Sequence, residues 1–281
     1  MQKKISIISI VCLLILMFLT YINATLINPK QLSIRKEIIT SNTSSYDKDF
    51  LIAYFSDICF NEYQNKEYLE NVVNTINDYH PDIILFAGDL IDSNYYDKFK
   101  PEDNQLLIEV LSKLNSEYGK YAVYGDQDLI KKELNDNIYQ ESGFDILSNK
   151  NIILNLDKKA LINIVGIEPL VNGQIDINQA FFGIDGNNLT LVMSHCPDIF
   201  NEIKTYDFDY LLSGHSLGGQ VYLPLINLFF REQGANKYYR GKYNNNQKTI
   251  DISNGIGRKN HNARLFADNE IVLYSVRFTS E

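Results

Sequence analysis

DFLIAYFS (residues 49–56), DIILFAGD (82–89) and KYAVYGD (120–126) are three short apolar runs bounded by polar turn residues. Between them, Glu67–Asp78 and Glu102–Asn115 repeat apolar side chains at the spacing of a helix. The order is therefore β-α-β-α-β. This order is typical of strands that alternate with helices in an α/β domain.

The second half of the chain is richer in strands than in helices. Further strands are predicted at Asn151–Leu156, Ala160–Val165, Leu189–Ser194, Tyr210–Ser213, Gln220–Leu223, Thr249–Ser253 and Ile271–Arg277. Such a mixture predicts an α/β fold, a four-layer α/β/β/α sandwich of two mixed sheets. In such layers, ligands gather beyond the carboxyl ends of the strands.

Length and charge limit the possible functions. At 281 residues and 45% hydrophobic content, the chain can bury one large core. The formal net charge of -9 provides no basic stripe for a phosphate backbone, so nucleic acid is not expected as a partner.

The first segment predicts a membrane anchor over residues 1–24. Lys3 and Lys4 precede an uncharged, mostly apolar run from Ile5 to Ile22, and a helix of roughly 20 residues spans a bilayer. A secretory signal peptide cleaved near Ala24 is the alternative, although its apolar region is usually about 7 to 15 residues long. We therefore expect an N-terminal transmembrane helix.

The remaining chain divides into a polar tether, residues 25–49, and a single domain, residues 50–281. Lys30, Arg35 and Lys36 rival the positive charges before the helix, but the short N-terminal tail favours a cytoplasmic N-terminus. We expect a single-pass protein of the cell membrane with its domain outside the cytoplasm.

The predicted strands are followed by carboxylates and imidazoles. These residues are Asp57 and Cys59, Asp89 and Asp92, Asp126 and Asp128, His195, and His215. A single Asp after a strand is usually a helix N-cap or a turn residue. Because five strand ends in succession carry such groups, we expect the side chains to converge.

In this order the residues resemble the calcineurin-like metallophosphoesterases, whose motifs are DxH, GDxxD, GNHD or GNHE, a later His, and GHxH. The resemblance runs from about Asp49 to Arg277 and favours the membrane-anchored bacterial branch. Three further segments match that branch: GGQVYLP (218–224), KYYRGKY (237–243) and SNGIGRKNHNARL (253–265), with Arg264. The resemblance implies a phosphoester hydrolase with two divalent metals that share a bridging Asp, here Asp89.

For the second metal, the resemblance implies the ligands Asp126, His195 and His215 together with Asp89. Asp126 replaces the family's Asn, and a carboxylate still offers a hard oxygen. For the first metal, it implies Asp57, Cys59 and Leu217. Leu217 cannot coordinate, and Cys59 replaces a histidine, so one ion (Mn, Fe or Zn) is expected rather than two. As a thiolate, Cys59 would bias the site toward zinc.

The family's catalytic His maps to Gln127. An amide cannot donate a proton as an acid, and general acid catalysis is typically worth about 10²- to 10⁴-fold. No catalytic residue is therefore assigned. A related hypothesis is that Cys59 and Cys196 form a disulfide where the first metal would have been, and the alternative is two unpaired small hydrophobes.

Three functions remain open. In the first, the chain is a membrane-anchored hydrolase of phosphodiesters or phosphomonoesters that acts on a small molecule or a lipid headgroup. Alternatively, it is an inactive pseudoenzyme that binds a metal or phosphate, or a purely structural anchored domain.

Overall fold

The structure is a computed structural model that describes residues 2–41, 49–223 and 231–279. Two six-stranded mixed sheets form its centre, with strand orders β1-β12-β2-β3-β4-β5 and β10-β11-β9-β8-β7-β6. The strands of the first sheet are β1 (Leu32–Ser41), β2 (Phe50–Phe55), β3 (Ile83–Phe86), β4 (Lys120–Ala122), β5 (Phe144–Ile146) and β12 (Asn269–Phe278). Those of the second are β6 (Lys150–Leu156), β7 (Ala160–Gly166), β8 (Leu189–Met193), β9 (Tyr210–Ser213), β10 (Gly241–Asn245) and β11 (Lys248–Ile252).

Helices cover the outer faces of both sheets. They are α2 (Lys66–Asp78), α3 (Pro101–Leu111), α4 (Lys132–Glu141), α5 (Ile177–Ala180) and α6 (Phe200–Ile203). A further helix, α1 (Gln2–Ile22), precedes the sheets and covers neither of them. Helices α2, α3 and α4 pack on one face of the first sheet, and the single turns α5 and α6 pack on the second sheet.

The alternation of side chains along β2 shows how the layers are held together. Ala53 and Phe55 point to the helices, whereas Ile52 and Tyr54 point to the core between the sheets. Residues of both sheets meet in that inner core, because successive side chains of a strand face opposite sides. The predicted four-layer α/β/β/α sandwich is confirmed.

Most predicted elements are present within one to four residues of their predicted ends. The strand predicted at Gln220–Leu223 is not formed, since Val221 makes only an isolated bridge to Leu265. The sequence analysis missed the strands β1, β5 and β10 and the helices α4, α5 and α6.

Strand β1 corrects the predicted tether. Residues Leu32–Ser41 pair in parallel with β12 over their whole length, so this part of residues 25–49 belongs to the first sheet. Arg35 fixes the strand, because its guanidinium contacts both carboxylate oxygens of the buried Asp251 at 2.9 and 2.8 Å. Residues 42–48 of the predicted tether lie outside the described residues.

Helix α1 extends away from the domain. The span Ile7–Lys30 is long and apolar enough to cross a membrane, by length and composition alone. Leu16 and Phe18 are each 62% exposed, as expected of a helix without a protein partner. The length and exposure of the helix are compatible with the predicted membrane anchor.

The chain after α1 is bound to the domain. Arg264 N donates to Ala24 O at 2.8 Å, and Asn28 Nδ2 donates to Arg264 O at 3.1 Å. The guanidinium of Arg258 donates to Pro29 O. The end of the helix is therefore held by the segment 253–265.

Candidate metal centre

Loops that follow five strands bring the predicted site residues to one edge of the two sheets. In the first sheet, Asp57, Asp89 and Asp126 follow the neighbouring parallel strands β2, β3 and β4. In the second sheet, His195 and His215 follow the neighbouring parallel strands β8 and β9. Parallel neighbours end at the same edge of a sheet, so the loops meet there.

Several residues of these loops have left-handed backbone conformations. Asp57, Cys59 and Asp89 have φ angles of 52°, 45° and 59°, and His215 and Leu217 have angles of 72° and 52°. Such a conformation costs a non-glycine residue roughly 1–2 kcal/mol. Strain of this kind clusters at functional sites, where the surrounding structure fixes the side chains.

Asp89, Asp126, His195 and His215 each present one potential ligand atom to a common point. These four atoms lie within 4.8 Å of one another. His195 Nε2 lies 3.2 Å from Asp89 Oδ2 and 3.3 Å from Asp126 Oδ1. His215 Nδ1 lies 3.0 Å from the same oxygen of Asp126. The structure thus brings together the four residues predicted for the second metal.

Backbone carbonyls hold the outward nitrogens of both histidine rings. His195 Nδ1 lies 2.6 Å from Ala87 O, and His215 Nε2 lies 2.8 Å from Gln233 O. Because a carbonyl oxygen can only accept, these nitrogens carry the proton. In the neutral ring the other nitrogen then carries a lone pair, which faces the cluster.

The inward-facing atoms of the two histidines and of Asp126 are buried without hydrogen bonds, whereas Asp89 Oδ2 accepts from Gln127 and Lys259. Among the residues that the structure describes, the atoms without a partner include His195 Nε2, His215 Nδ1, Asp126 Oδ1 and Asp57 Oδ1. The short contacts between nitrogens and oxygens therefore lack the alignment of hydrogen bonds. Imidazole lone pairs repel the carboxylate oxygens that they face unless a proton or a metal cation lies between them. A set of two imidazoles and two carboxylates fits a divalent ion such as Mn, Fe or Zn.

The carboxylates of the cluster also attract a proton to His195, and a divalent ion at the same point would displace that proton. Burial by itself lowers the pKa of His195, but the charge of Asp89 and the contact with Asp126 raise that pKa well above its usual range. Burial by itself raises the pKa of Asp89, but the positive charges of His195 and Lys259 hold it well below its usual range. The cluster therefore favours positive charge at its centre.

Asp57, Cys59 and Asp89 form an adjoining group, whose ligand atoms also lie within 4.8 Å of one another. Leu217, which is 2% exposed, provides no ligand on its side of this group. Burial raises the pKa of the Cys59 thiol well above its usual range, and the charge of Lys259 counteracts this only in part. The surroundings of Cys59 therefore favour the neutral thiol over the thiolate that coordinates metals.

Lys259 is a site residue that the sequence analysis missed. Its Nζ donates a hydrogen bond of 2.8 Å to Asp89 Oδ2, and its side chain is only 12% exposed. The one signal in the sequence is that this lysine closely follows Gly255 and Gly257 in the segment 253–265.

Gln127, which stands at the position of the family's catalytic His, is held at both ends of its amide. Its Nε2 donates to Asp89 Oδ2 at 2.5 Å, and its Oε1 accepts from Ser93 N at 2.6 Å. Its backbone N donates to Asp89 Oδ1 at 3.0 Å. Gln127 therefore orients Asp89 and offers no acidic proton to a leaving group.

The disulfide hypothesis is wrong for this structure, in which Cys59 and Cys196 are both free and buried. Cys196 Sγ packs against Gly234, where an added Cβ would lie 3.0 Å from the sulfur. Both cysteines therefore act as small buried side chains.

The sequence of the chain is similar to those of known proteins. The family described as "Calcineurin-like phosphoesterase" matches residues 50–219. The metallophosphoesterase YkuE of Bacillus subtilis is 27% identical over 260 residues, which cover 92% of this chain and 90% of YkuE.

Two further relatives carry the names of activities. The phosphodiesterase YaeI of Escherichia coli is 23% identical, over 74% of this chain and 75% of YaeI. The UDP-2,3-diacylglucosamine pyrophosphatase LpxG of Chlamydia muridarum is 23% identical, over 62% of this chain and 65% of LpxG. Calcineurin-like phosphoesterases bind divalent metals, and this chain has candidate ligand groups for them. The chain belongs to the calcineurin-like phosphoesterase family.

Proposed function

We propose that the domain is a phosphoester hydrolase that uses one divalent ion, held by Asp89, Asp126, His195 and His215. One observation carries the proposal. The inward nitrogens of the two histidines face carboxylate oxygens at 3.0–3.3 Å, with no hydrogen bond to any described residue. A cation between these groups would turn repulsion into attraction.

A divalent ion bound at this point would act as a Lewis acid on a phosphoryl oxygen and make a water nucleophilic at neutral pH. The surrounding residues orient the ligands of this ion. Both histidines are held by backbone carbonyls, and Asp89 is held by Gln127. Ligands oriented in this way need little rearrangement to bind the ion.

The substrate that we propose is a phosphoester with two substituents on phosphorus, in a small molecule or a lipid headgroup. Two relatives support this class, since one is named a phosphodiesterase and the other a pyrophosphatase of a diacylated sugar nucleotide. The net charge of -9 argues against nucleic acid as the substrate.

We further propose that α1 anchors the domain in the cell membrane as a single span, with the domain outside the cytoplasm. The exposed apolar surface of α1 supports an environment of lipid. Lys3 and Lys4 at the start of the chain support a cytoplasmic N-terminus.

A metal-binding module without turnover is the second candidate. Two observations favour it: Gln127 is engaged at both ends and cannot act as an acid, and Leu217 removes a ligand that the resemblance implies. Metal binding without hydrolysis would select this candidate over the hydrolase.

The test measures metal content and hydrolysis in the purified full chain, loaded with Mn²⁺ in detergent. We expect one ion per chain and turnover of bis-p-nitrophenyl phosphate. His215→Ala is expected to weaken metal binding by at least about 10-fold, because losing a ligand costs no less than losing a group that orients one. His80→Ala is the matched control, since His80 is exposed and remote from the cluster. Turnover that persists in His215→Ala at unchanged metal affinity would contradict the proposal.

Gln127→His is expected to raise the turnover of substrates with poor leaving groups by about 100-fold, because an imidazolium can protonate the departing oxygen. Turnover of p-nitrophenyl esters should change little, since p-nitrophenolate leaves without protonation. The measurement compares kcat for an alkyl phosphodiester and for bis-p-nitrophenyl phosphate. Gln127→Ala, which adds no acid, is the control. An equal gain for both substrates would contradict the interpretation that the wild type lacks a general acid at position 127.

A further inference from the structure

A buried ammonium group lies against the carboxylate that the family's two metals share. Lys259 Nζ is 2.8 Å from Asp89 Oδ2, the same oxygen that lies 3.2 Å from His195 Nε2. The lysine side chain is 12% exposed and that of Asp89 is fully buried. Burial of a charge at this depth requires a compensating partner, which each of these two groups supplies to the other.

The surroundings of this ammonium are those expected around the first metal. Asp57 and Cys59 join Asp89 in the adjoining group, and the charge of Lys259 acts on all three. On the side of the missing ligand, Leu217 Cδ2 approaches the backbone at Gly255, in the same segment as Lys259. An apolar side chain at this position offers nothing to a metal.

The loop around Lys259 is rigidly held before any ligand arrives. Lys259 N donates to Gln220 Oε1 at 2.8 Å, and Lys259 O accepts from Gln220 Nε2 at 3.0 Å. Two residues earlier, Gly257 N donates to Asp57 O at 2.7 Å. An added Cβ at Gly257 would lie 2.0 Å from Ile58 O, so the loop depends on glycine for its close approach to the site.

We propose that the ammonium of Lys259 is a resident cation that takes the place of the first metal. It places a positive charge on Asp89 Oδ2, the oxygen that also faces His195 Nε2, and leaves one exchangeable ion to be held with Asp126, His195 and His215. Two ligands of the first metal are replaced in this chain, at Cys59 and Leu217. On this proposal their loss goes together with the presence of Lys259, because the ammonium supplies the charge of the missing ion. This inference rests on the proposed one-ion site and explains why that site has a single ion.

Lys259 would also contribute to the binding of a substrate. An ammonium has three N–H donors, and the described residues accept one of them, through Asp89 Oδ2. The remaining donors can bind a phosphoryl oxygen, as a metal at this position would. A single positive charge attracts that oxygen less strongly than a divalent ion does.

The experiment counts ions per chain by elemental analysis after Mn²⁺ loading and dialysis of the full chain in detergent. Electron paramagnetic resonance separates an isolated Mn²⁺ from an exchange-coupled pair. We expect the wild type to hold one ion with an isolated signal. The double variant Cys59→His, Leu217→His regains both ligands, yet it is expected to hold one ion because Lys259 remains. Adding Lys259→Ala to this variant should yield two ions and a coupled signal.

Lys259→Arg in the same double variant is the matched control, since it keeps the positive charge and should keep one ion. Two ions in the double variant with Lys259 intact would overturn this inference and leave the proposed hydrolase standing. Two ions in the wild type would also overturn this inference and leave the proposed hydrolase standing. The absence of ions from every variant would instead overturn the proposed function. A triple variant that folds and holds only one ion would also count against Lys259 as the excluding group.

Discussion

Asp89→Asn is expected to abolish hydrolysis and to weaken the binding of a divalent ion by at least about 100-fold. Asp89 Oδ2 is the atom on which the centre converges, with Gln127 Nε2, Lys259 Nζ and His195 Nε2 all within 3.2 Å. An amide in its place removes the negative charge. It also turns an NH₂ group toward two donors, or else loses the hydrogen bond from Gln127 N.

The measurement is a titration with Mn²⁺ together with turnover of bis-p-nitrophenyl phosphate. Asp251→Asn is the matched control, because it removes an equally buried charge at a position that contacts Arg35 and Tyr274. We expect this control to lose stability and to keep its metal. If Asp89→Asn binds Mn²⁺ as tightly as the wild type, the ion is not held by this cluster.

Arg264→Met is expected to lower the free energy of unfolding by at least about 3 kcal/mol. Arg264 is completely buried, and burial lowers its pKa to about 10, so the guanidinium remains charged at neutral pH. Its nitrogens donate to the carbonyls of Leu217, Asn254, Gly255, Gly257 and Ala267. A methionine fills part of the volume but removes all of these donors, and within the described part of the chain only Leu217 O and Gly255 O keep a backbone donor, from Gln220 N and Glu270 N.

Urea denaturation of the full chain in detergent, followed by circular dichroism, measures this loss. Arg277→Met is the matched control, because the Arg277 side chain is 55% exposed and its ion pair with Asp49 has a separation of 3.8 Å. Its effect should stay within about 0.5 kcal/mol. A loss at Arg264 no larger than the loss at Arg277 would show that other donors replace the guanidinium.

The central part of the fold could be predicted from sequence because its strands are continuous apolar runs that end in polar residues. Buried strands such as β2, β3, β8 and β9 have this pattern, so their carboxyl ends, and with them Asp89 and His215, were found together. The four-residue cluster followed from that order of elements and from the resemblance to the family.

Elements that depend on distant partners could not be predicted in this way. Strand β1 is an edge strand with only two buried residues, and Arg35 fixes it through Asp251, 216 positions away. Lys259 is 170 positions from Asp89, and a lysine in a polar loop is usually exposed. No local sequence pattern predicts the contact of Arg35 with Asp251 or that of Lys259 with Asp89.

The attachment between α1 and the domain has a consequence for access to the metal centre. Residues 24–29 are hydrogen-bonded to the segment that also carries Lys259, so no hinge separates them. With α1 seated in a bilayer, the metal centre would stay at a constant height above the lipid surface. Encounters would then favour molecules that diffuse laterally in the leaflet and carry their phosphate at that height.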